Sequence, residues 1–328
     1  MERIFITGAD GLLGSNTVRE LFNRNYKLKA LIQKGSKSRT LEGLDIEFVE
    51  GDLLDKEGLI EHVKGCDAII HIAALTTVWP IRHKIYYKVN VEGTQNIIEA
   101  ALTNNIKRFI HVSSASTFGF GPKDKPGNET TTTKAKEFGL DYVDSKLDAQ
   151  DAVLKAVKDR KLPAIIVNPT FMIGPYDSKP SSGAVILAVA KRELKLIARG
   201  GKNWVYVKDV ANGICNALDM GRIGEMYILG NENLSYKEAT GIFAEVAGVK
   251  PPNLKVPSFI VRFAGRMGSF IGYLTGKEPK ISYPVAKISL IHQYYDPSKA
   301  RKELKLPKTP IRKAVEDSMQ WFKANGYA

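Results

Sequence analysis

Three groups of residues have the types and spacing to do chemistry together. The stretch "TGADGLLG" spaces Gly8, Gly11 and Gly14 by two residues each, "HVSSASTFG" holds Ser113 and Ser114, and "YVDSK" sets Tyr142 four residues before Lys146. A glycine turn between a strand and a helix lets a pyrophosphate approach backbone N–H groups at the positive end of the helix dipole. On a helix, Tyr142 and Lys146 share a face. A phenol titrates near 10, so proton transfer at neutral pH needs a shift of about three units, roughly 4 kcal/mol, and a cation one turn away pushes in that direction. Each signal also has a plainer reading. The glycines could cap and pack a helix, the serines could satisfy backbone groups at a strand end, and the Tyr/Lys pair could lie on a solvated helix face. The common dinucleotide pattern is G-x-G-x-x-G, whereas this loop reads G-x-x-G-x-x-G.

The elements that must position these groups are legible as short apolar runs. "RIFIT", "KLKALI", "IEFVE", "DAIIHIAA", "RFIHVSS" and "PAIIVNP" alternate with stretches whose apolar residues recur at three and four. That alternation predicts an α/β fold with a doubly wound parallel sheet, its strands buried on both faces. Ser113 and Ser114 then fall where such a sheet opens its ligand crevice. A dinucleotide-binding domain is expected over residues 1–170, and a smaller, mostly substrate-binding domain over 171–328, with segments near 203–230 returning to the sheet. "WVYVKDVANGICNAL" reads as a strand and an Asp-capped helix, "EMYILG" as a strand, and "SYKEATGIFAEVAG" as a helix with a Ser cap and a terminal Gly. The polar stretch from Gly121, "GPKDKPGNETTTTKAK", reads as a mobile surface loop, and the C-terminal segment from Asp296 as a pair of surface helices.

The bulk numbers bound the class. The chain has 328 residues, 44% hydrophobic and 25% charged, which is enough for a large core. Two cysteines, Cys66 and Cys215, fit small core residues in a reducing cytoplasm better than a disulfide framework. No signal peptide and no spanning segment is expected. The net charge of +13 permits anionic ligands, acidic lipid or nucleic acid. No nucleic-acid module and no metal-ligand spacing accompanies it, so neither a nucleic-acid partner nor a metal is expected.

The order of glycine loop, strand-end serine and Tyr/Lys helix is far more specific than any one member. Through "TGADGLLG", "GDLLD", "HIAA", "YYKVNVEGTQNIIEAA", "SSASTFG", "YVDSK" and "NPTFMIGP" the chain resembles the extended short-chain dehydrogenase/reductase superfamily along nearly its whole length. The segments "GRIGEMYILGNENLSYKE" and "VKDVANGICNAL" look most like its dihydroflavonol reductase-like branch. The resemblance implies a Rossmann sheet and a catalytic set of Ser114, Tyr142 and Lys146, with Ser114 preferred to Ser113 because it lies five residues before Gly119. It implies cofactor contacts from Gly8, Gly11, Leu12, Leu13, Gly14, Asp52, Leu53, Ala73, Ala74 and Pro169, besides Tyr142 and Lys146. Asn90 resembles the asparagine that steadies the central helix. A homodimer formed through the helices of Asn90 and Tyr142 is the family's expectation.

Coenzyme choice is read at the end of the second strand, "ALIQKGSKSR". NAD-selecting enzymes end that strand in an acid. Here Lys34, Ser36, Lys37 and Arg39 offer cations and hydroxyls suited to a 2′-phosphate, so NADP is favoured over NAD, although Gln33 stands where NADP-using relatives often carry Arg. Lys34 and Lys37 are the expected phosphate contacts. Thr76 and Trp79 in "LTTVWPIRHK", with Phe118 and Phe171, are expected to line a fairly apolar substrate pocket, while Trp79 suits a core anchor equally well. "PSFIVRFAGRMGSFIGYLTGK" reads as a lid over the site or as an interfacial membrane helix, the lid being preferred, with Gly265, Gly268 and Gly272 weighing against one long helix. These readings converge on an NADP-dependent oxidoreductase that reduces a carbonyl, or oxidises the alcohol, of a small molecule. The alternatives are a nucleotide-sugar epimerase or dehydratase with tightly bound NAD, and a noncatalytic NADP-binding sensor.

Overall fold

All six apolar runs become strands of one sheet in the computed structural model, which describes residues 3–36, 38–133 and 135–328. The first half runs β1 (Arg3–Thr7), α1 (Leu12–Asn23), β2 (Lys27–Ile32), β3 (Glu47–Glu50), α2 (Lys56–Val63) and β4 (Ala68–His71). It continues through α3 (Ile85–Tyr87), a π-helical turn (Lys88–Glu92), α4 (Gly93–Thr103), β5 (Arg108–Val112), α5 (Asp141–Arg160) and β6 (Ala164–Pro169). The second half contributes β7 (Phe171–Ile173), α6 (Ala184–Ala190), β8 (Leu196–Ile197), β9 (Gly201–Tyr206), α7 (Val207–Met220), β10 (Met226–Leu229), β11 (Glu232–Ser235) and α8 (Tyr236–Ala247). It ends with β12 (Leu254–Lys255), α9 (Ser258–Thr275), α10 (Tyr283–Ile288), β13 (His292–Gln293), α11 (Ser298–Glu303) and α12 (Ile311–Ala324).

The large sheet has the order β10-β6-β5-β4-β1-β2-β3, and every pairing in it is parallel. Alternation along β1 sends Ile4 and Ile6 into one buried layer and Phe5 into the other, so helices cover both faces. Strand order reverses between β1 and β4, and the ligand crevice of such a sheet opens there, at the carboxyl ends of the strands. In the second half, β10 joins the large sheet beside β6, while β9 belongs to a separate small sheet with β7, β11 and β13.

Helix α8 carries the expected ends, a Ser235–Glu238 capping box and Gly248 at φ 68°. Helix α7 differs from expectation. Its N-cap is Tyr206 without a side-chain bond, and Asp209, inside the first turn, accepts instead from the N–H and Oγ1 of Thr309, both at 2.8 Å. The acid anchors a distant loop and leaves the helix start uncapped.

The segment from Gly121 is held by backbone pairing where a mobile loop was expected. Gly121 and Gly127 bridge to Tyr294 and Tyr295, and the Glu129 carboxylate accepts from the Ile228 N–H at 2.8 Å. A Cβ on Gly127 would stand 1.9 Å from the Gly119 carbonyl oxygen, so only glycine allows this approach. The C-terminal α12 is likewise more than a surface helix, because Ile311, Val315, Met319 and Phe322 are buried.

Candidate active site

The glycine loop is shaped for an anionic ligand. Gly8 has φ +70°, and a Cβ there would lie 2.6 Å from the Ala73 nitrogen; a Cβ on Gly14 would lie 2.0 Å from the Gly8 carbonyl oxygen. Gly8 thus makes the turn and lets β4 come close, Gly14 brings α1 down onto the loop, and Gly11 is the N-cap of α1. The first turn of α1 carries no acid, so its unpaired N–H groups face the crevice without a competing carboxylate. Leu13 is buried in the core and Leu12 packs against it, which leaves their backbones for a phosphate. This cradle fits a dinucleotide pyrophosphate.

Beside it, α5 begins at Asp141 and presents Tyr142, Lys146 and Gln150 at successive spacings of four. Ser114 follows β5 and caps a short 3-10 turn, Ala115–Thr117. The Ser114 side chain stands against the Tyr142 hydroxyl, and its Oγ shares a hydrogen bond of 2.7 Å with Ser116 Oγ. Burial pushes the phenol above its ordinary value, and the Ser114 side chain acts in the opposite direction. The Lys146 ammonium donates to the Val112 carbonyl oxygen at 2.7 Å, and burial lowers it to about 8. The ammonium is thereby tied to the last residue of β5, one turn along α5 from Tyr142. Ser113 is buried with its hydroxyl unpartnered among the described residues.

A buried polar frame holds these groups. The Ser114 carbonyl accepts from Thr117 Oγ1 at 2.7 Å and from Asn168 Nδ2 at 3.1 Å, and Asn168 also donates to Gln150 Oε1 at 2.7 Å. Asn90 lies in the π-helical turn, where its amide accepts from the Leu75 N–H at 2.7 Å and donates to the Leu75 carbonyl at 3.1 Å and to Ser145 Oγ at 3.0 Å. Asn90 thereby ties the loop after β4 to α5. His71 spans Thr7 Oγ1 at 2.8 Å and Thr94 Oγ1 at 3.0 Å. Because Thr94 Oγ1 donates to the Asn90 carbonyl at 2.6 Å, it accepts from His71 Nε2–H, and Nδ1 accepts from Thr7. Burial, then the Lys146 charge, lowers His71 to about 3, so the ring is neutral. Asn168, Gln150, Thr117 and His71 were not anticipated; the only sequence signal was polar residues inside otherwise apolar runs.

After β3, Asp52 Oδ1 accepts from the Leu54 N–H at 2.9 Å, and the Leu53 carbonyl accepts from Asn96 at 2.9 Å. Gln33, Lys34, Glu50, Gly51 and Asp52 line a cavity of about 630 Å³. Lys34 is exposed at its edge, and Lys37 lies outside the described residues. Two carboxylates that sequence order hides also reach the end of β2: Ser36 Oγ donates to Asp10 at 3.2 Å, and the Gly35 N–H to Glu50 at 3.4 Å. Ala73 and Ala74 are half-buried beyond β4, and Pro169 is buried at the end of β6.

The expected pocket residues separate. Thr76 is exposed, and Phe171 is half-buried with its ring edge-on to Trp204 at 4.8 Å. Trp79 is half-buried against α9, where a Cβ on Gly272 would meet its ring at 2.7 Å. Phe118 is 5% exposed and packs with Ala115, Ile228 and Tyr295. Lys202, unremarked in the sequence, stands with its ammonium 4.2 Å over the Phe171 ring, and burial lowers it to about 8. Asp141 pins the loop after β4 by accepting from the N–H groups of Arg82 and His83, the latter at 3.3 Å.

The model of the NAD dependent epimerase/dehydratase family matches residues 4–230, which span the sheet, the glycine loop and the Ser, Tyr and Lys positions. The chain belongs to that family. As an epimerase/dehydratase-family protein it is an oxidoreductase of the extended short-chain dehydrogenase/reductase type. It is 32% identical to a Synechocystis sp. protein provisionally named a dihydroflavonol 4-reductase, over 98% of this chain and 95% of that one. It is 30% identical to sterol demethylase protein B of Methylococcus capsulatus, over 98% of each. Among solved structures, gox2253 superposes with a TM-score of 0.88 at 33% identity, covering 100% of this chain and 99% of that one.

Proposed function

We propose that this epimerase/dehydratase-family protein is an NADP-dependent carbonyl reductase acting on a small, fairly apolar substrate, reversible as an alcohol dehydrogenase. The observation that carries the reading is the Ser114 side chain set against the Tyr142 hydroxyl, with Lys146 one turn along the same helix, beside the glycine cradle at the carboxyl ends of the strands. When bound, the nicotinamide supplies or accepts the hydride. Tyr142 donates the proton to the carbonyl oxygen, and Ser114 hydrogen-bonds the same oxygen as negative charge develops on it. Lys146 holds the cofactor ribose and keeps positive charge beneath the crevice. Gly8, Gly11 and Gly14 with the backbones of Leu12 and Leu13 receive the pyrophosphate; Asp52, Leu53, Ala73, Ala74 and Pro169 border the adenosine and ribose. Lys34 and Lys37 meet the 2′-phosphate. Thr76, Trp79 and Phe171 face the substrate, and Lys202 adds a cation beside Phe171.

A second reading, a nucleotide-sugar epimerase or dehydratase with retained NAD, draws support from Asp10 and Glu50, since carboxylates near the adenosine ribose repel a 2′-phosphate. The absence of an acid at the end of β2 argues for NADP. Purified protein is tested for NADPH and NADH oxidation with a panel of ketones and aldehydes, and for conversion of UDP- and dTDP-sugars. Carbonyl-dependent NADPH oxidation supports the first reading. Sugar conversion without net cofactor change overturns it in favour of the second. If Tyr142→Phe binds NADPH and leaves every measured activity unchanged, a noncatalytic sensor replaces both.

A further inference from the structure

Helix α9 is apolar on the side that faces away from the protein. Its inward stripe, Val261, Gly265, Gly268 and Gly272, steps by four, three and four residues. The glycines are there for close approach: a Cβ on Gly265 would lie 2.5 Å from the Ala286 Cβ, one on Gly268 would lie 2.1 Å from the Ile281 carbonyl oxygen, and Gly272 takes the Trp79 ring. These contacts explain why one helix of 18 residues survives three glycines. Two residues out of step, about 200° round the helix, runs a second stripe. Phe259, Phe263, Met267, Phe270 and Leu274 are 71%, 65%, 42%, 57% and 65% exposed. Ile260 and Ile271 widen it, and Leu254 of the adjoining β12 is 57% exposed. The small residues of α9 are thus turned to α10, Ile281 and Trp79, and the large apolar ones away from the protein.

Charge says what covers this face. Arg262 and Arg266 are exposed along one edge of the stripe, and residues 251–291 hold six Lys or Arg, namely Lys255, Arg262, Arg266, Lys277, Lys280 and Lys287, against a single acid, Glu278. The whole chain is +13. A second copy docking by the same patch would bring like-charged edges together with almost no acid to pair them, which disfavours a symmetric contact. An anionic bilayer meets both features at once, acyl chains taking the phenylalanines and headgroups the arginines. Among the described residues no helix is long and apolar enough to cross a membrane. We propose that α9 lies in the interface of an anionic lipid bilayer and docks the protein there peripherally, whatever reaction the crevice performs.

The test is co-sedimentation of the full chain with phosphatidylcholine vesicles and with vesicles containing about 30 mol% phosphatidylglycerol. Wild type is expected to sediment with the anionic vesicles at low salt and only weakly with the neutral ones. Arg262→Gln/Arg266→Gln is expected to lose about thirtyfold in partitioning to anionic vesicles, from two surface cations. Phe263→Ser/Phe270→Ser is expected to abolish sedimentation with either vesicle, with an unchanged circular dichroism spectrum showing that the fold is intact. Failure of wild type to sediment with anionic vesicles overturns the proposal. So does equal binding by the phenylalanine variant, or light scattering that shows a wild-type dimer converted by that variant to a monomer.

Discussion

Lys146 Nζ donates to the carbonyl oxygen of Val112 at 2.7 Å, reaching from the second turn of α5 to the last residue of β5. The side chain is 3% exposed, and burial lowers its ammonium to about 8 from an ordinary 10.5. At neutral pH the protein therefore holds a proton that folding disfavours, at a cost on the order of 3 kcal/mol. Between pH 8 and 10.5 the unfolded chain retains this proton while the folded one releases it, so the lysine's contribution to stability rises with pH across that window. Lys146→Met is expected to equal or exceed wild type in melting temperature at pH 7, with the gain shrinking by pH 10 and activity lost. Thermal unfolding across pH measures this, and a large loss of stability at pH 7 would contradict it.

Ser114 acts on Tyr142 as well as on the substrate. The Ser114 side chain lowers the phenol against the upward push of burial. Ser114→Ala is expected to cost about 10² to 10³ in turnover, and also to move the limb of the pH–rate profile that reports Tyr142 to higher pH. Ser114→Thr, keeping the hydroxyl, should restore the position of that limb in part. Tyr142→Phe is expected to lose about 10² to 10⁴ in turnover while binding coenzyme with nearly wild-type affinity, as measured by calorimetry.

Acid should unfold the protein partly through two neighbouring buried histidines. His71 and His111 are buried with ring centroids 5.6 Å apart, and both are lowered by burial first and then by the Lys146 charge. Below pH 6.5 the unfolded histidine binds a proton that folded His71, lowered to about 3, refuses. Stability present above 6.5 is thus lost as pH falls toward 3, on the order of 4 kcal/mol for His71. His111 has neither ring nitrogen partnered among the described residues. Accordingly, His111→Leu should be near neutral or stabilising at pH 7 and should flatten the acid limb of a urea-stability profile. His71→Leu, which strands Thr7 and Thr94, should destabilise at every pH.

Coenzyme preference should respond to both signs of charge at the end of β2. Lys34→Ala is expected to weaken NADPH binding about tenfold, the loss of one phosphate contact, with NADH changed less than twofold. Asp10→Asn should shift the ratio toward NADPH by removing a carboxylate that now accepts from Ser36. Calorimetric titration of each variant with both reduced coenzymes checks the pair, and equal effects on the two would mean that neither side chain reads the 2′-phosphate.

Much of the architecture was written locally. Period and burial pattern put "RIFIT", "DAIIHI" and "PAIIVNP" in a parallel sheet, because a run apolar on both sides has no other soluble place to lie. Gly8 and Gly14 announced a turn and a close approach, and Tyr142 with Lys146 a shared helix face, since these depend on a few neighbouring residues. Contacts between distant segments were decided by tertiary structure alone. Asp10 arrives at the end of β2 from the loop after β1 and Glu50 from the end of β3, and Asn168 meets Gln150 and the Ser114 carbonyl across three elements. The loop from Gly121 looked free because its backbone partners, Tyr294 and Tyr295, lie more than 150 residues later. Helix α9 shows the division most plainly. Its residues specify two stripes, one of glycine and one of phenylalanine, but only packing against α10 and Trp79 decides which stripe is turned inward, because close backbone approach needs the small side chains.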